Sequence, residues 1–203
     1  MRNYDHGYAL LINTMTKKKK ASWKNLIFIA AIALLIIPQT RKPIQIVLNK
    51  IIVSVIKPSA FAKADQTQLP PFNYKVVSVA GIERQSAVGQ GNVTFISYWA
   101  TWCPPCIAEL PSIEALYKDY GNKVDFLLIT NESPEVVTKF LEKKSLNIPA
   151  VLPRMETPEV LFESSIPTNY LIDRKGNIVI KKNGPADWNS DRVREILDAL
   201  IAE

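Results

Sequence analysis

The chain holds only two cysteines, Cys103 and Cys106, three positions apart where one sequence pattern gives way to another. Before them, residues 92–99 are rich in β-branched and aromatic side chains and read as a strand. Directly after Cys103 come Pro104 and Pro105, and proline is accepted in the first turn of a helix, where its missing N–H costs nothing. That helix continues through Ile113, Leu116 and Tyr117, and Gly121 ends it. The strand therefore delivers Cys103 to the start of a helix, with Cys106 one turn further in.

Flanking patterns supply the rest of a domain. Residues 74–80 read as a strand with β-branched positions at Val76, Val77 and Val79; Gly81 turns the chain, and residues 85–88 pair back as a hairpin. Residues 124–130 form a continuous apolar run of strand length, suited to a sheet covered on both faces. Ser133, Pro134 and Glu135 open a second helix, with Ser133 as its cap, ending near Lys144. A short strand at 150–152 and one helical turn at 158–162 follow. Residues 168–172 and 177–180 then flank the turn Asp173-Arg174-Lys175-Gly176. Ser190 or Asn189 caps a last helix with Val193, Ile196, Leu197 and Leu200 at helical spacing. The order predicts an α/β fold: a central mixed β-sheet opened by an N-terminal β-hairpin, with helices on both faces.

Charge separates this domain from what precedes it. Residues 1–59 hold ten Lys/Arg and one acid, a net of +9, while residues 60–203 carry a net of −3. A mildly acidic domain argues against nucleic acid as a partner, because phosphate binding needs a basic folded face. The N-terminal basicity is read instead as a membrane-flanking signal. Lys17–Lys20 and Lys24 precede an apolar stretch, residues 26–37, whose 12 residues are short for a spanning helix. Extension over residues 21–40 reaches the ~20 residues a span needs, with Trp23 and Lys24 at the interface. A cleaved signal peptide is the rival, but Pro38-Gln39-Thr40-Arg41-Lys42 makes a poor cleavage site, and Ala60-Phe61-Ala62 lies far downstream. The chain thus divides into a basic tail (1–20), a transmembrane or signal anchor (21–40), an interfacial segment and linker (41–71) and the folded domain (72–203). With lysines slightly in excess before the anchor, the expected topology is a single pass through the cytoplasmic membrane, the domain facing the periplasm or outside.

Two cysteines spaced in this way on a first helical turn can close a small disulfide ring or open to a dithiol. The helix dipole and unpaired N–H groups favour a thiolate at Cys103, which makes it the nucleophile and Cys106 the resolving thiol. A purely structural disulfide competes, but loop closure over so few residues stabilises little. Zinc needs about four N/S ligands, and the only histidine is His6, so no metal is expected.

Residues 95–106, Phe-Ile-Ser-Tyr-Trp-Ala-Thr-Trp-Cys-Pro-Pro-Cys, resemble the active-site strand and helix of the thioredoxin superfamily. Glu109-Leu110-Pro111 is similar to its membrane-anchored, extracytoplasmic thiol–disulfide oxidoreductase branch, which serves cytochrome c maturation and related reduction. The resemblance covers about residues 72–202. It implies a cis bond before Pro167, with Ile166 pairing its backbone to an extended substrate. It also implies that Glu109 tunes cysteine protonation, that Pro111 kinks the helix, and that Gly184 follows the last strand. Locally, Glu109 shares a helix face with Cys106, where a carboxylate can take its proton; a solvated surface glutamate is the alternative. Trp99 and Trp102 are expected to divide their roles between packing and substrate contact. One departure stands out: ordinary thioredoxins bury an aspartate where this chain has Ser97. The resemblance implies no cofactor beyond the redox-active Cys103–Cys106 disulfide, protein thiols and disulfides as substrates, and a membrane electron donor. Pro104-Pro105 lacks the histidine of strong oxidases, so a reductase is expected. A disulfide-forming or isomerising catalyst remains open, as does an anchored peptide-binding module with a static disulfide.

Overall fold

The computed structural model describes residues 23–162 and 164–203, so the basic tail expected over 1–20, and His6 with it, lies outside the described residues. Seven strands form one sheet: β1 (Phe72–Ser78), β2 (Glu83–Val88), β3 (Val93–Tyr98), β4 (Val124–Ile129), β5 (Ala150–Pro153), β6 (Thr168–Ile172) and β7 (Ile178–Asn183), in the order β2-β1-β5-β4-β3-β6-β7. β3, β4 and β5 run parallel; the hairpins β1–β2 and β6–β7 close the two edges antiparallel. The central strands are buried on both faces, as the unbroken apolar runs require.

Three helices belong to this domain: α3 (Pro104–Tyr120), α4 (Pro134–Lys144) and α5 (Asp191–Ala202), numbered after two N-terminal helices described below. All three put buried residues, among them Leu110, Val137 and Leu197, into one core cluster on one face of the sheet. The other face holds Tyr74, Ile96, Leu127 and Tyr170 and is closed by Leu69 and Leu161, with no α-helix among the described residues packed on it. The expectation of helices on both faces is therefore corrected. β3–α3–β4 and β4–α4–β5 step in the same direction across the sheet, and right-handed crossovers then put both helices on the same side. The connection that serves the second face contains only the 3-10 turn Glu159–Leu161, at the place where one helical turn was expected.

Helix ends differ from the sequence reading in detail. Gly121 does close α3, but with φ −63° it is right-handed. A Cβ there would lie 2.6 Å from the Tyr117 ring, so the glycine is needed for space and not for a left-handed turn. Ser133 and Ser190 occupy the N-cap positions of α4 and α5 without a side-chain capping bond; the Ser133 carbonyl accepts from Val136 and Val137 N–H, each at 3.1 Å.

The end of the segment expected as interfacial segment and linker (41–71) is docked on the domain. Phe61 N–H donates to the Val179 carbonyl at 2.8 Å, and Leu69 N–H to the Gly176 carbonyl at 2.8 Å; Leu69 is buried. Before it, the chain falls into two units, 1–41 and 42–203. α1 (Trp23–Ile36) lies in the first. α2 (Pro38–Val55) begins before Pro43 and carries that proline inside it, so the boundary expected at 40/41 falls within a helix. Val47, Leu48, Ile51 and Val55 of α2 are exposed. Among the described residues no single helix is long and apolar enough to cross a membrane; Trp23–Leu34 and Gln39–Val55 pass that test only as a broken pair.

Candidate active site

β3 runs straight into the segment that presents the cysteines, and that segment is held from both sides. Trp99 N–H donates to the Ile129 carbonyl at 3.1 Å, and Cys103 N–H to the Ala100 carbonyl at 3.2 Å. Glu132, from the turn after β4, accepts from Thr101 N–H and Thr101 Oγ1, both at 2.6 Å. Cys103 is the N-cap of α3 with extended backbone, and its Sγ accepts the Cys106 N–H at 3.2 Å. The two sulfurs form a disulfide. Cys106 is fully buried and Cys103 3% exposed, whereas the adjoining Trp102 is 60% exposed. Trp99 is buried against Phe140, with ring centroids 5.8 Å apart, so packing falls to Trp99 and the outward surface to Trp102.

The turn before β6 faces this pair. The Ile166–Pro167 peptide bond is cis, and Cys103 Sγ lies 3.8 Å from the Ile166 carbonyl oxygen. Gly184 N–H fixes the Pro167 carbonyl at 2.9 Å. A cavity of about 330 Å³ opens beside it, lined by Trp102, Ile166, Tyr98, Phe162 and Glu132 among others.

Glu109 lies one helical turn beyond Cys106 and is fully buried. Its Oε1 accepts from Asn169 Nδ2 at 2.9 Å; Oε2 accepts from Ala186 N–H at 3.2 Å and Trp188 Nε1–H at 3.3 Å. Burial pushes its pKa up to about 8, against those three donors and the Lys182 charge, which pull it down. A carboxyl group so placed changes its protonation near neutral pH, as a general base or acid must. Pro111 sits inside α3 on its exposed side.

Residues 64–200, about two thirds of the chain, match the Redoxin family. The chain belongs to the Redoxin family. Among curated relatives of this Redoxin chain, the thioredoxin-like protein YneN of Bacillus subtilis is 30% identical over 115 residues, covering 55% of this chain and 66% of the relative. The thiol-disulfide oxidoreductase ResA of Halalkalibacterium halodurans is 32% identical over 125 residues, covering 60% and 69%. The chain thus spans about two thirds of the length of these relatives. A solved thiol:disulfide interchange protein of the thioredoxin family from Chlorobium tepidum matches with a TM-score of 0.52 and 28% identity, over 69% of this chain and 99% of the other. The Redoxin domain is thioredoxin-like in fold.

Within this Redoxin site the structure brings Cys103, Cys106, Ile166 and Pro167 together beside the exposed Trp102, with Cys106 and Glu109 fully enclosed. Sequence reasoning missed Glu132, Asn169, Ala186 and Trp188. Asn169 is two residues after Pro167 and so within reach of the same loop, which was the one signal available. Glu132, Ala186 and Trp188 have none, because only the folded sheet carries them to the site. Among the described residues no group of His, Cys, Asp and Glu is arranged to hold a metal ion.

Proposed function

We propose that this protein is a thiol–disulfide oxidoreductase that reduces protein disulfides outside the cytoplasm, tethered to the membrane by residues 21–40. The observation that carries the reading is the asymmetry of the two sulfurs: Cys103 Sγ caps α3 and takes an N–H at 3.2 Å, while Cys106 is fully enclosed. In the dithiol form the N-terminus of α3 favours a thiolate at Cys103. That thiolate attacks a substrate disulfide held as an added strand on the Ile166 backbone, forming one S–S bond and expelling one substrate thiolate. Cys106 then passes its proton to the Glu109 carboxylate and attacks Cys103 Sγ. The internal disulfide closes, the second substrate sulfur leaves with the electron pair, and Glu109 returns the proton to solvent or to that sulfur. A membrane-bound dithiol donor restores the starting state by giving up two electrons and two protons, one proton to Cys106 and the other to solvent, and becoming a disulfide.

Substrates of the cytochrome c maturation apparatus fit this scheme, supported by the likeness of Glu109-Leu110-Pro111 to the membrane-anchored branch. The apolar exposed side of α2 supports an interfacial position for residues 41–55. The test has two parts. The Cys103–Cys106 couple is expected near or below the roughly −270 mV of thioredoxin; a value far above it would make the protein an oxidant. Cys106→Ala in intact membranes is expected to trap substrates on Cys103 as mixed disulfides, and their absence would leave only a binding module.

A further inference from the structure

The sheet places one row of polar side chains beneath Glu109. β3 and β6 pair with Ser97 opposite Asn169, and β6 and β7 pair with Asn169 opposite Lys182. Residues directly opposite in an antiparallel pair share a face. Here it is the α3 face, since Phe95, Leu171 and Ile180, each two positions along its strand from a member of the row, join the cluster of Cys106 and Trp188. The row grades outward: Ser97 and Asn169 are fully buried, and Lys182 is half-buried. Asn169 Nδ2 bonds Glu109 Oε1 at 2.9 Å, while Asn169 Oδ1 and Ser97 Oγ, side chains of cross-strand neighbours, have no partner among the described residues.

A buried carboxyl that gains and loses a proton has opposite needs in its two states. Ionised, it needs donors; neutral, its own O–H needs an acceptor. Ala186 N–H and Trp188 Nε1–H can only donate. Of the groups bonded to the Glu109 carboxyl among the described residues, only the Asn169 amide offers both functions.

We propose that Asn169 is a positioning residue that serves Glu109 in both protonation states by turning its amide over, with Ser97 as partner to the amide's far end and Lys182 supplying the charge that favours the ionised form. With Glu109 ionised, Nδ2 donates to it as in the structure, and the Ser97 side chain, unpaired there together with Oδ1, rotates to bring its hydroxyl onto Oδ1. Once the carboxyl holds the proton from Cys106, Oδ1 accepts the Glu109 O–H and Nδ2 donates to Ser97 Oγ. No covalent bond changes in Asn169, and the proton stays on Glu109 until it leaves. The inference rests on Glu109 as the base. Lys182 on β7 is the cation that acts on Glu109; on the adjoining loop, Asp187 turns its carboxylate to Asn189 N–H at 3.0 Å. On α3 the neighbours that titrate are the two cysteines once reduced.

An infrared titration of the oxidised full chain in detergent micelles tests it, the Glu109 carboxylic-acid band being the one lost in Glu109→Gln. Asn169→Leu is expected to raise the inflection of that band by about one pH unit or more and to move the band to higher wavenumber as the acid loses its acceptor. Lys182→Gln is expected to raise the inflection, and Lys182→Arg to restore it. An unmoved band and inflection in folded Asn169→Leu would overturn the proposal. If that variant does not fold, an unmoved inflection in Lys182→Gln, at a half-exposed site, does the same. The base reading fails separately: wild-type resolution of Cys103 mixed disulfides by Glu109→Gln removes Glu109 from the chemistry and leaves the infrared shifts intact.

Discussion

Glu109 shows how far burial reshapes one residue. With its carboxyl pushed up to about 8 by desolvation, it is protonated in the folded protein over a range where the unfolded chain has lost the proton. The folded state then binds more protons than the unfolded one between the ordinary glutamate value and about pH 8, so stability falls as pH rises through that window. Glu109→Gln is expected to flatten the slope, removing up to roughly 1.4 kcal/mol per pH unit; thermal melts of oxidised protein at pH 5, 6.5 and 8 would read it, and parallel slopes would contradict it. The position of Glu109 one turn beyond Cys106 was legible, since helical spacing alone sets it. Its three donors were not, because they come from β6 and from the loop after β7, and strand register is invisible in a linear pattern. Ser97 was noticed only as a missing aspartate; its place opposite Asn169 makes it part of a polar row.

Among the elements, strands and helices were read to within a few residues, because apolar runs and proline-started helices are local signals. What local signals cannot carry is which face a helix covers. That depended on the direction in which successive crossovers step, and so α3 and α4 fell on one side together. The two glycine-bearing turns at the β2 and β6 ends show another non-local demand. Gly89 and Gly176 both have positive φ, and a Cβ on Gly89 would lie 2.9 Å from Gly176 Cα, while one on Gly176 would lie 2.8 Å from the Leu69 carbonyl oxygen. The turns touch backbone to backbone and hold the docked segment at Leu69. Gly176→Ala is expected to cost about 1–3 kcal/mol through strain and the forced separation, read as a lower denaturation midpoint with an unchanged disulfide. A neutral effect would mean that the contact gives way freely.

For the molecule as a whole, the domain and its cysteine pair were plain from the chain, whereas its edge with the preceding segment was not. The stretch expected as interfacial segment and linker, 41–71, gives no sign in its composition of the backbone bonds that Phe61 makes to β7 and Leu69 to the β6–β7 turn. Residues 184–189 have a comparable hidden role. Gly184 N–H holds the Pro167 carbonyl and Asp187 N–H holds Ile56, just past the end of α2. Ala186 N–H holds Glu109, and Trp188 N–H holds Ser112 Oγ. These four amides are expected to exchange with solvent deuterium at a common rate, and Glu109→Gln should quicken Asp187 together with Ala186; unrelated rates would show the bonds to be independent. A single short stretch of backbone thus pins together the Pro167 turn, the buried Glu109 carboxyl and the chain just past α2, so a displacement at any one of the three is felt in the same peptide units.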